Sequence, residues 1–452
     1  MSVLSKVTIG ITGLAALGIA GYAVAFVPSP LGTGIAPLTT IVAPDTVTRS
    51  IICSGDVVGH VGDSASISGV AATTRMMTSG NETVDLAMDN TTNGSVVTHT
   101  GDSMLVAASE YAAVHNDSIS GYLATECGDP LNEQWLVGGS TTTGRDSILT
   151  ISNGSDVESR IDLDIWGASG QVDAPGSKGI VIPARSQRSY SVAGFAPDEA
   201  SPVVRVVSNG AAVWATLQTT DVRGLVPGGL DRVGPVAEPT TAVAFPNLHI
   251  GSEASIGAVL ADSAYSDITP ALRFLAPGDT DATVSITLDP YAKGDTNVVT
   301  ATIPHGSTLD IPLAEVSEGD WSITITSDQP IVAAARVGFH DVKSGITDIA
   351  WASAAPAQIG TATVFVPGGS SLGLVNPTAS DADVMVGSGD VVVTVTVPAH
   401  GSLFVPVNVG LVTIKSTTDI ANAVFISTKD GIATLRGLTA PIDAANVVVT
   451  SG

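Results

Sequence analysis

The sequence predicts an all-β protein: tandem immunoglobulin-like β-sandwiches that follow a single N-terminal transmembrane helix. Three observations predict this class. Short apolar or alternating runs end at Gly, Pro, Asn, Asp or Ser, which is typical of strands separated by turns. Three segments of the chain repeat one order of strands and turns. An uncharged apolar segment precedes all of them.

Composition narrows the class of protein before any motif is considered. The 452 residues suffice for about three domains. The net charge is −25, from 18 basic and 43 acidic residues, although only 13% of the residues are charged. Phosphate binding needs clustered Lys and Arg, and the sequence has no such cluster, so nucleic acid is excluded as a partner. The apolar content of 44% excludes general disorder.

The first element, residues 1–28, is predicted to be a membrane anchor or a signal segment. An uncharged apolar stretch lies between Lys6 and Pro28. A helix of that length spans about 31 Å, enough to cross a bilayer. Length favours an uncleaved anchor, whereas Ala23-Val24-Ala25 matches the small residues of a signal-cleavage site. Since Lys6 should stay in the cytoplasm, the bulk of the chain is expected outside, or secreted after cleavage.

Residues 29–139 are predicted to hold a Pro- and Gly-rich spacer and then a disulfide-tied β domain. Cys53 and Cys127 are the chain's two cysteines. In an oxidising compartment they should pair, and closing a loop of 74 residues stabilises by about 4 kcal/mol in the chain-entropy model. Two separate buried thiols or a metal site are the alternatives. Neither cysteine has C-x-x-C or His spacing, which disfavours the metal.

The rest of the chain repeats one order of features. A strand runs into a turn, a second strand follows, an apolar residue precedes a proline, and a pair of strands surrounds a polar turn. The apolar-proline steps are Ile182-Pro183, Ile303-Pro304 and Val397-Pro398, and the polar turns are Ser208–Gly210, Ser327–Pro330 and Ser416–Asp419. This spacing predicts three β-sandwiches, at 140–245 with a connector, 246–365 and 366–452. Blades of one closed structure, such as a propeller, are the alternative.

Several blocks carry a resemblance to a known family. They are Cys127-Gly128-Asp129-Pro130, Trp135-Leu136-Val137-Gly138-Gly139, Gly144-Arg145 and Arg223–Asp231. The chain resembles an actinobacterial family of membrane-anchored extracellular proteins of unknown function, most strongly from Cys127 to Pro239. The resemblance implies location and architecture, but no substrate and no catalytic residue. Its motif residues are Trp135, Gly138, Gly139, Arg145, Arg223, Gly224, Pro227, Gly228, Gly229 and Asp231.

Two serine motifs are interpreted as chance matches. Gly101-Asp102-Ser103-Met104 resembles an esterase nucleophile block, but no histidine follows an aspartate at the required Asp-x-x-His spacing. Gly369-Ser370-Ser371-Leu372-Gly373 satisfies G-x-S-x-G, yet a β repeat follows it rather than the helix that a nucleophile elbow needs. The sequence therefore predicts no catalytic residue.

Metal and sugar sites also have competing interpretations. The paired acids at Asp279 and Asp281 and at Asp381 and Asp383 could meet Ca²⁺, but without a Ca²⁺-binding loop motif they are interpreted as solvated turns. No metal and no cofactor is predicted. Of the five tryptophans, Trp166, Trp214 and Trp321 fall inside predicted strands and are expected to pack in cores, with carbohydrate stacking on an exposed face as the alternative.

Together these features predict a non-enzymatic cell-envelope protein that presents β-sandwich modules outside the membrane for binding or scaffolding. The expected partner is a cell-wall polymer or an envelope protein, with the membrane contacted through the N-terminal helix. The alternative is an extracellular enzyme that acts on polysaccharide, or an accessory carbohydrate-binding protein. A purely structural stalk is a third hypothesis.

Overall fold

The computed structural model describes residues 39–42, 47–60, 66–88, 93–101, 105–252, 254–292, 294–368, 370–439 and 447–450. Nearly all of the regular secondary structure in these residues is β-strand, which confirms the all-β class. The predicted anchor or signal segment at 1–28 lies outside the described residues. Within them, no helix has the length and apolar character needed to cross a membrane.

The two terminal strands form a compact unit of their own. Strand β1 (Thr39–Val42) pairs antiparallel with β35 (Val447–Thr450). Residues 47–443 form the second unit, which contains an N-terminal module and three sandwiches.

The N-terminal module consists of short antiparallel strands. They are β2 (Val47–Cys53), β3 (Val57–His60), β4 (Ile67–Ala71), β5 (Thr74–Met77), β6 (Glu82–Asp85), β7 (Ala87–Met88), β8 (Ser95–Gly101), β9 (Ala108–His115) and β10 (Ser120–Glu126). Three small sheets have the orders β2-β8-β6, β10-β9-β5 and β3-β4. The predicted disulfide between Cys53 and Cys127 is confirmed, and both cysteines are buried.

Sandwich 1 comes directly after the N-terminal module in the chain. Its elements are β11 (Glu133–Val137), β12 (Arg145–Asn153), β13 (Ser159–Gly167), β14 (Gly170–Gln171), β15 (Ile180–Ile182), β16 (Ser186–Ser191), a 3-10 helix (Val192–Gly194), β17 (Val203–Gly210), β18 (Trp214–Arg223) and β19 (Val226–Val233). One sheet has the order β11-β17-β13-β14, with β15 also on β13. The other has the order β19-β18-β12-β16-β7, so the N-terminal module lends it a strand.

Sandwiches 2 and 3 repeat this plan. Sandwich 2 comprises β20 (Thr240–Ile250), helix α1 (Ile256–Leu260), a 3-10 helix (Ser263–Ile268), β21 (Ala271–Leu275), β22 (Ala282–Pro290), β23 (Asn297–Ile303), β24 (Thr308–Pro312), β25 (Gly319–His340) and β26 (Thr347–Ser353). Sandwich 3 comprises β27 (Gln358–Val366), β28 (Ser370–Val375), β29 (Ala382–Ser388), β30 (Val391–Val397), β31 (Ser402–Val407), β32 (Gly410–Thr428), β33 (Gly431–Leu435) and β34 (Leu438–Thr439).

One long strand joins the two sheets of each later sandwich. The first half of β25 pairs with β20 and β22, and its second half pairs with β21 and β26. Strand β32 does the same in sandwich 3. The polar turns predicted at Ser327–Pro330 and Ser416–Asp419 therefore lie inside continuous strands, where the strand passes from one sheet to the other. In sandwich 1 the corresponding strand is divided into β17 and β18.

Each sandwich opens with a strand that lies before, or across, the boundary expected for it. Strands β11, β20 and β27 pair with β17, β25 and β32 respectively, and so belong to sandwiches 1, 2 and 3. The sequence boundaries stand at 140, 246 and 366.

Alternating side chains build the cores. In β22, Val284, Ile286 and Leu288 are buried, whereas the residues between them are partly or fully exposed. This period of two is what a sheet with one covered face requires. Each sandwich has its own cluster of buried aliphatic residues.

One strand from the end region of each module lies around a common axis: β10, β19, β26 and β33. Strand β19 packs between β10 and β26, and β33 also packs between β10 and β26, so that the four strands close a ring. They are not hydrogen-bonded to one another as a sheet. By strand pairing the three sandwiches are separate from one another, while β7 links the N-terminal module to sandwich 1, and all four modules are grouped around one axis.

A single carboxylate occupies the centre of this ring. Asp348 on β26 is fully buried, and its Oδ1 accepts the backbone N–H of Leu230 at 2.9 Å. Its Oδ2 accepts the N–H groups of Tyr122 and Ile432, each at 3.0 Å. Burial raises the pKa of Asp348 well above its ordinary value, and these N–H donors oppose the shift by stabilising the charged form.

Two glycines make room for this side chain, and a third stands at the corresponding position of β19. Gly121, Gly229 and Gly431 precede the three N–H donors, as Asp348 precedes Ile349. A Cβ atom at Gly121 or at Gly431 would collide with the Asp348 carboxylate. Corresponding positions of the four modules therefore hold three glycines and one acid, because the ring has space for one side chain.

We predict that Asp348→Ala destabilises the chain by about 3 to 5 kcal/mol, because it leaves several buried N–H groups without an acceptor. Asp348→Asn should have a smaller effect, since it keeps one carbonyl oxygen. Urea unfolding measures both changes. The control is Asp117→Ala, at an exposed residue of the β9–β10 turn. Equal stability of the Asp348 and Asp117 variants would contradict the role given to the central carboxylate.

We also predict that reducing the disulfide lowers the free energy of unfolding by about 4 kcal/mol, because the reduced unfolded chain regains the entropy of an open loop. Unfolding curves with and without reductant measure the difference. A chain with Cys53→Ala and Cys127→Ala is the control and should give one curve under both conditions. If reductant shifts that curve too, its effect does not come from the disulfide.

Candidate functional site

The connectors that follow the ring strands meet around a cleft of about 540 Å³, here called the axial cleft. Each module contributes a segment: Asp129 to Leu131 after β10, Pro235 to Thr240 after β19, Ala355 to Gln358 after β26, and Arg436 to Leu438 after β33. Prolines 130, 235 and 356 stand in the first three connectors, and proline, which lacks an N–H, does not continue a central strand. The same chain positions that end the ring strands thus build the cleft.

Arg436 ties these connectors together. Its guanidinium donates to the carbonyl oxygens of Pro235 and, at 3.4 Å, Ala354, and lies 3.5 Å from the carboxylate of Glu126. These three acceptors come from three different modules. Arg436 therefore fixes the cleft wall as well as supplying its positive charge.

The remaining polar groups of the cleft are acids and amides. They are Asp129, Glu133, Gln134, Glu238, Gln358 and Asn422. Glu133 also forms a 2.8 Å ion pair with Arg205, and the hydrogen bond from Arg205 lowers the pKa of the Glu133 carboxyl although partial burial opposes the shift. This wall can accept and donate hydrogen bonds to hydroxyl and amide groups.

Tryptophans support the cleft from beneath. Trp135 stacks on Trp166 with the ring centroids 5.2 Å apart, and Arg205 lies over the Trp135 ring at 5.5 Å. The ring of Trp214 lies against Gly128 and Gly234, where a Cβ atom would find no space. All five tryptophans are at most 8% exposed. The core packing predicted for Trp166, Trp214 and Trp321 is therefore confirmed. None offers the open ring face that sugar stacking uses.

The Trp-x-x-Gly-Gly block contacts sandwich 2. Gly138 lies against the Trp351 ring, and the Gly139 carbonyl oxygen accepts a hydrogen bond from the buried Arg273 at 2.7 Å. The Arg273 guanidinium lies 4.5 Å from the centre of the Trp351 ring, and the Arg336 guanidinium lies 5.6 Å from it. The Trp-x-x-Gly-Gly block therefore packs against Trp351, which lies close to two arginine side chains.

Asp231, the last motif residue, binds the same tryptophan through its backbone. Its Oδ2 accepts the Trp351 N–H at 2.6 Å. Burial raises the pKa of Asp231 to about 7, although the N–H groups of Trp351 and Arg232 oppose this shift. The two motif blocks thus converge on Trp351, at the junction of sandwiches 1 and 2.

Arg145 and Arg223 form a second junction with two acids. Arg223 donates to Asp267 at 2.7 Å and to Asp221 at 3.2 Å, and its side chain is 1% exposed. Arg145 binds Asp267 at 2.8 Å. Burial, and then the hydrogen bond shared with Asp267, raise the pKa of Asp221 to about 8. Since Asp267 belongs to the 3-10 helix of sandwich 2, this cluster also joins the two sandwiches.

The Arg-Gly-Leu-x-Pro-Gly-Gly block is the turn that this cluster supports. Gly224 has φ +66°, a left-handed conformation that a hairpin turn needs and glycine adopts at low cost. Pro227 pairs with Val222, and the Gly228 carbonyl oxygen accepts a hydrogen bond from Arg223. Gly229 lies against Asp221, where a Cβ atom would be within 2.9 Å. The motif therefore encodes a rigid hairpin.

Two other predicted features have structural roles. Ser371 lies on β28 and its backbone oxygen accepts from Asn247, so this G-x-S-x-G segment runs in a strand rather than toward a helix. Asp281 accepts the His305 N–H, and Asp381 accepts the Ala399 N–H, each at 2.9 Å. These acids brace corresponding turns. Gly369 and Asp102 to Met104 lie outside the described residues, and the described chain has no cluster of three or more metal-ligating side chains.

Comparisons with known proteins add a family. A model described as "Family of unknown function (DUF5719)" matches residues 87–408, from β7 to just past β31. Among solved structures, the chain is similar to the chicken CNTN1 FN1–FN3 domains, with 11% identity, 72% of this chain and 100% of that chain covered, and a TM-score of 0.12. No curated protein sequence matches the chain significantly.

We predict that the free energy of unfolding falls as the pH rises from about 4 to about 7. Folded Asp231 holds its proton up to about pH 7, whereas an unfolded aspartate loses it near pH 4, so the unfolded state binds fewer protons in this window. Asp231→Asn should reduce the slope by about 1.4 kcal/mol per pH unit in that range. Urea unfolding at several pH values measures it, with Asp117→Asn as the control. Parallel profiles for the native chain and Asp231→Asn would contradict this assignment.

Proposed function

The chain belongs to the family of unknown function DUF5719, and from this premise we propose that it is a non-enzymatic cell-envelope protein that presents β-sandwich modules outside the membrane and binds an envelope component in the axial cleft. The observation that carries the proposal is the construction of the cleft. All four modules contribute connectors to it, and Asp348 and Arg436 hold those modules in place.

The location is proposed from the sequence and the disulfide together. Residues 1–28 have the length and apolar character of a single membrane anchor. The paired Cys53 and Cys127 suit an oxidising compartment, as expected for a chain whose bulk lies outside the cell. The resemblance to actinobacterial envelope proteins, and an immunoglobulin-like assignment of the sandwiches, belong to this same proposal.

The chemistry of the cleft favours a neutral, hydroxyl- or amide-rich ligand. Three carboxylates and three amide side chains line it, with Arg436 as its cation. The acidic chain, with its net charge of −25, would repel a polyanion. A cell-wall polysaccharide or a wall peptide has the required groups.

An enzyme or accessory protein that acts on polysaccharide is the second candidate. Three carboxylates that line the cleft, Asp129, Glu133 and Glu238, favour it, because glycoside hydrolysis uses a pair of acids. The buried tryptophans favour the first candidate, since neither Trp135 nor Trp214 presents its ring face to a ligand.

We predict that the purified protein co-sediments with insoluble cell-wall polymer, and that Glu238→Lys weakens this binding about tenfold. The substitution replaces a carboxylate that accepts hydrogen bonds in the cleft with the long, positively charged side chain of lysine. Glu315→Lys is the matched control, because Glu315 is exposed outside the cleft, and it should bind as the native protein does. The bound fraction at increasing polymer concentration measures both.

If Glu238→Lys and Glu315→Lys bind the cell-wall polymer equally well, the axial cleft is not the binding site. Release of soluble sugars or peptides from the polymer, lost on Glu238→Gln, would replace the binding role with the enzymatic candidate.

A further inference from the structure

Strand β30 is an unprotected sheet edge. It is the end strand in the order β30-β29-β32-β27-β34, and its partner among the described strands is β29. Its sequence, Val391 to Val397, contains only valine and threonine. Val391, Val392 and Val393 are 55%, 63% and 41% exposed. An edge of this kind presents backbone N–H and C=O groups ready to pair with another strand.

The usual protection of edge strands is absent from β30. Proteins guard edges with lysine, proline, bulges or very short strands. Strand β30 has seven residues without charge or proline, and its register with β29 is continuous. The corresponding strand of sandwich 1, β15, has three residues. A regular apolar edge of this length is the kind of surface that β-strand addition uses.

We infer that β30 pairs antiparallel with β30 of a second copy of the chain about a two-fold axis at Thr394. The sequence is self-complementary about that residue. Val393 faces Val395 of the second copy, and Val391 faces Val397 of the second copy. Pairs of β-branched residues on facing strands are favourable, and a two-fold axis closes the assembly as a dimer.

Charge limits where two copies of the chain can meet. Each chain carries a net charge of −25, so two chains repel over most approaches. The nearest flanking acid, Asp390, would stand at opposite ends of the two-strand ladder, about 25 Å apart at the rise of a β-strand. That separation exceeds the Debye length of about 8 Å at physiological salt. The β30 pair therefore brings valines together without facing acids.

A cysteine at the axis tests this geometry directly. Both native cysteines are in the disulfide, so Thr394→Cys adds a free thiol. Directly facing residues of an antiparallel pair have Cβ atoms about 5 Å apart, near the range that a disulfide bridges. Mild oxidation of the full chain should yield a covalent dimer. The control is Ser118→Cys, at an exposed residue of the β9–β10 turn and away from any sheet edge, which should stay monomeric.

Failure of Thr394→Cys to cross-link would overturn the inference. Equal cross-linking of Ser118→Cys would overturn it as well, because exposed thiols would then cross-link without pairing of β30.

A charge exchange gives an independent test in the full chain. Thr394→Lys and Thr394→Asp each place like charges opposite each other, and each should weaken the dimer about fivefold. An equal mixture should recover dimer as the mixed pair, measured by sedimentation velocity. Salt should strengthen the native dimer by screening the net repulsion. A native chain that stays monomeric at every soluble concentration, or a mixture of folded variants that recovers nothing, contradicts the inference.

Discussion

One buried carboxylate makes the arrangement of the modules cooperative. Burying the charge of Asp348 costs free energy that is offset only when N–H groups from the N-terminal module, sandwich 1 and sandwich 3 all point at it. A sandwich 2 that folded alone would leave this acid without those donors. The central acceptor therefore couples each module's position to the others, and the axial cleft depends on that coupling.

The residues with the clearest motif character serve as joints rather than as a reactive centre. Gly138, Gly139 and Asp231 converge on Trp351, and Arg223 joins a second buried cluster with Asp267. Such positions tolerate little change because each one serves two modules at once. The motif residues can therefore have a structural role while the functional site lies elsewhere. The axial cleft is formed by connectors, and the residues that line it form no recognisable motif.

Local chemistry explains which features could be predicted from sequence. The apolar-proline steps and the turns marked strands, and the chain's two cysteines could form one intramolecular pair. The continuous path of β25 through Ser327–Pro330 was not predictable from residue type, because polar residues there serve a bend between sheets. The role of Asp348 could be recognised only from the alignment of the ring strands, where Gly121 and Gly431 leave the space that it fills. The cleft follows from that long-range packing, so no short window of sequence contains it.

The strand that serves both sheets has a mechanical consequence. In sandwiches 2 and 3, one backbone runs through both layers, so sliding one sheet over the other loads a covalent chain rather than side-chain contacts alone. In sandwich 1, where β17 and β18 are separate, the link between layers is the short segment after Gly210. Under tension along the chain, sandwiches 2 and 3 should therefore resist sliding of their two sheets more strongly than sandwich 1 does.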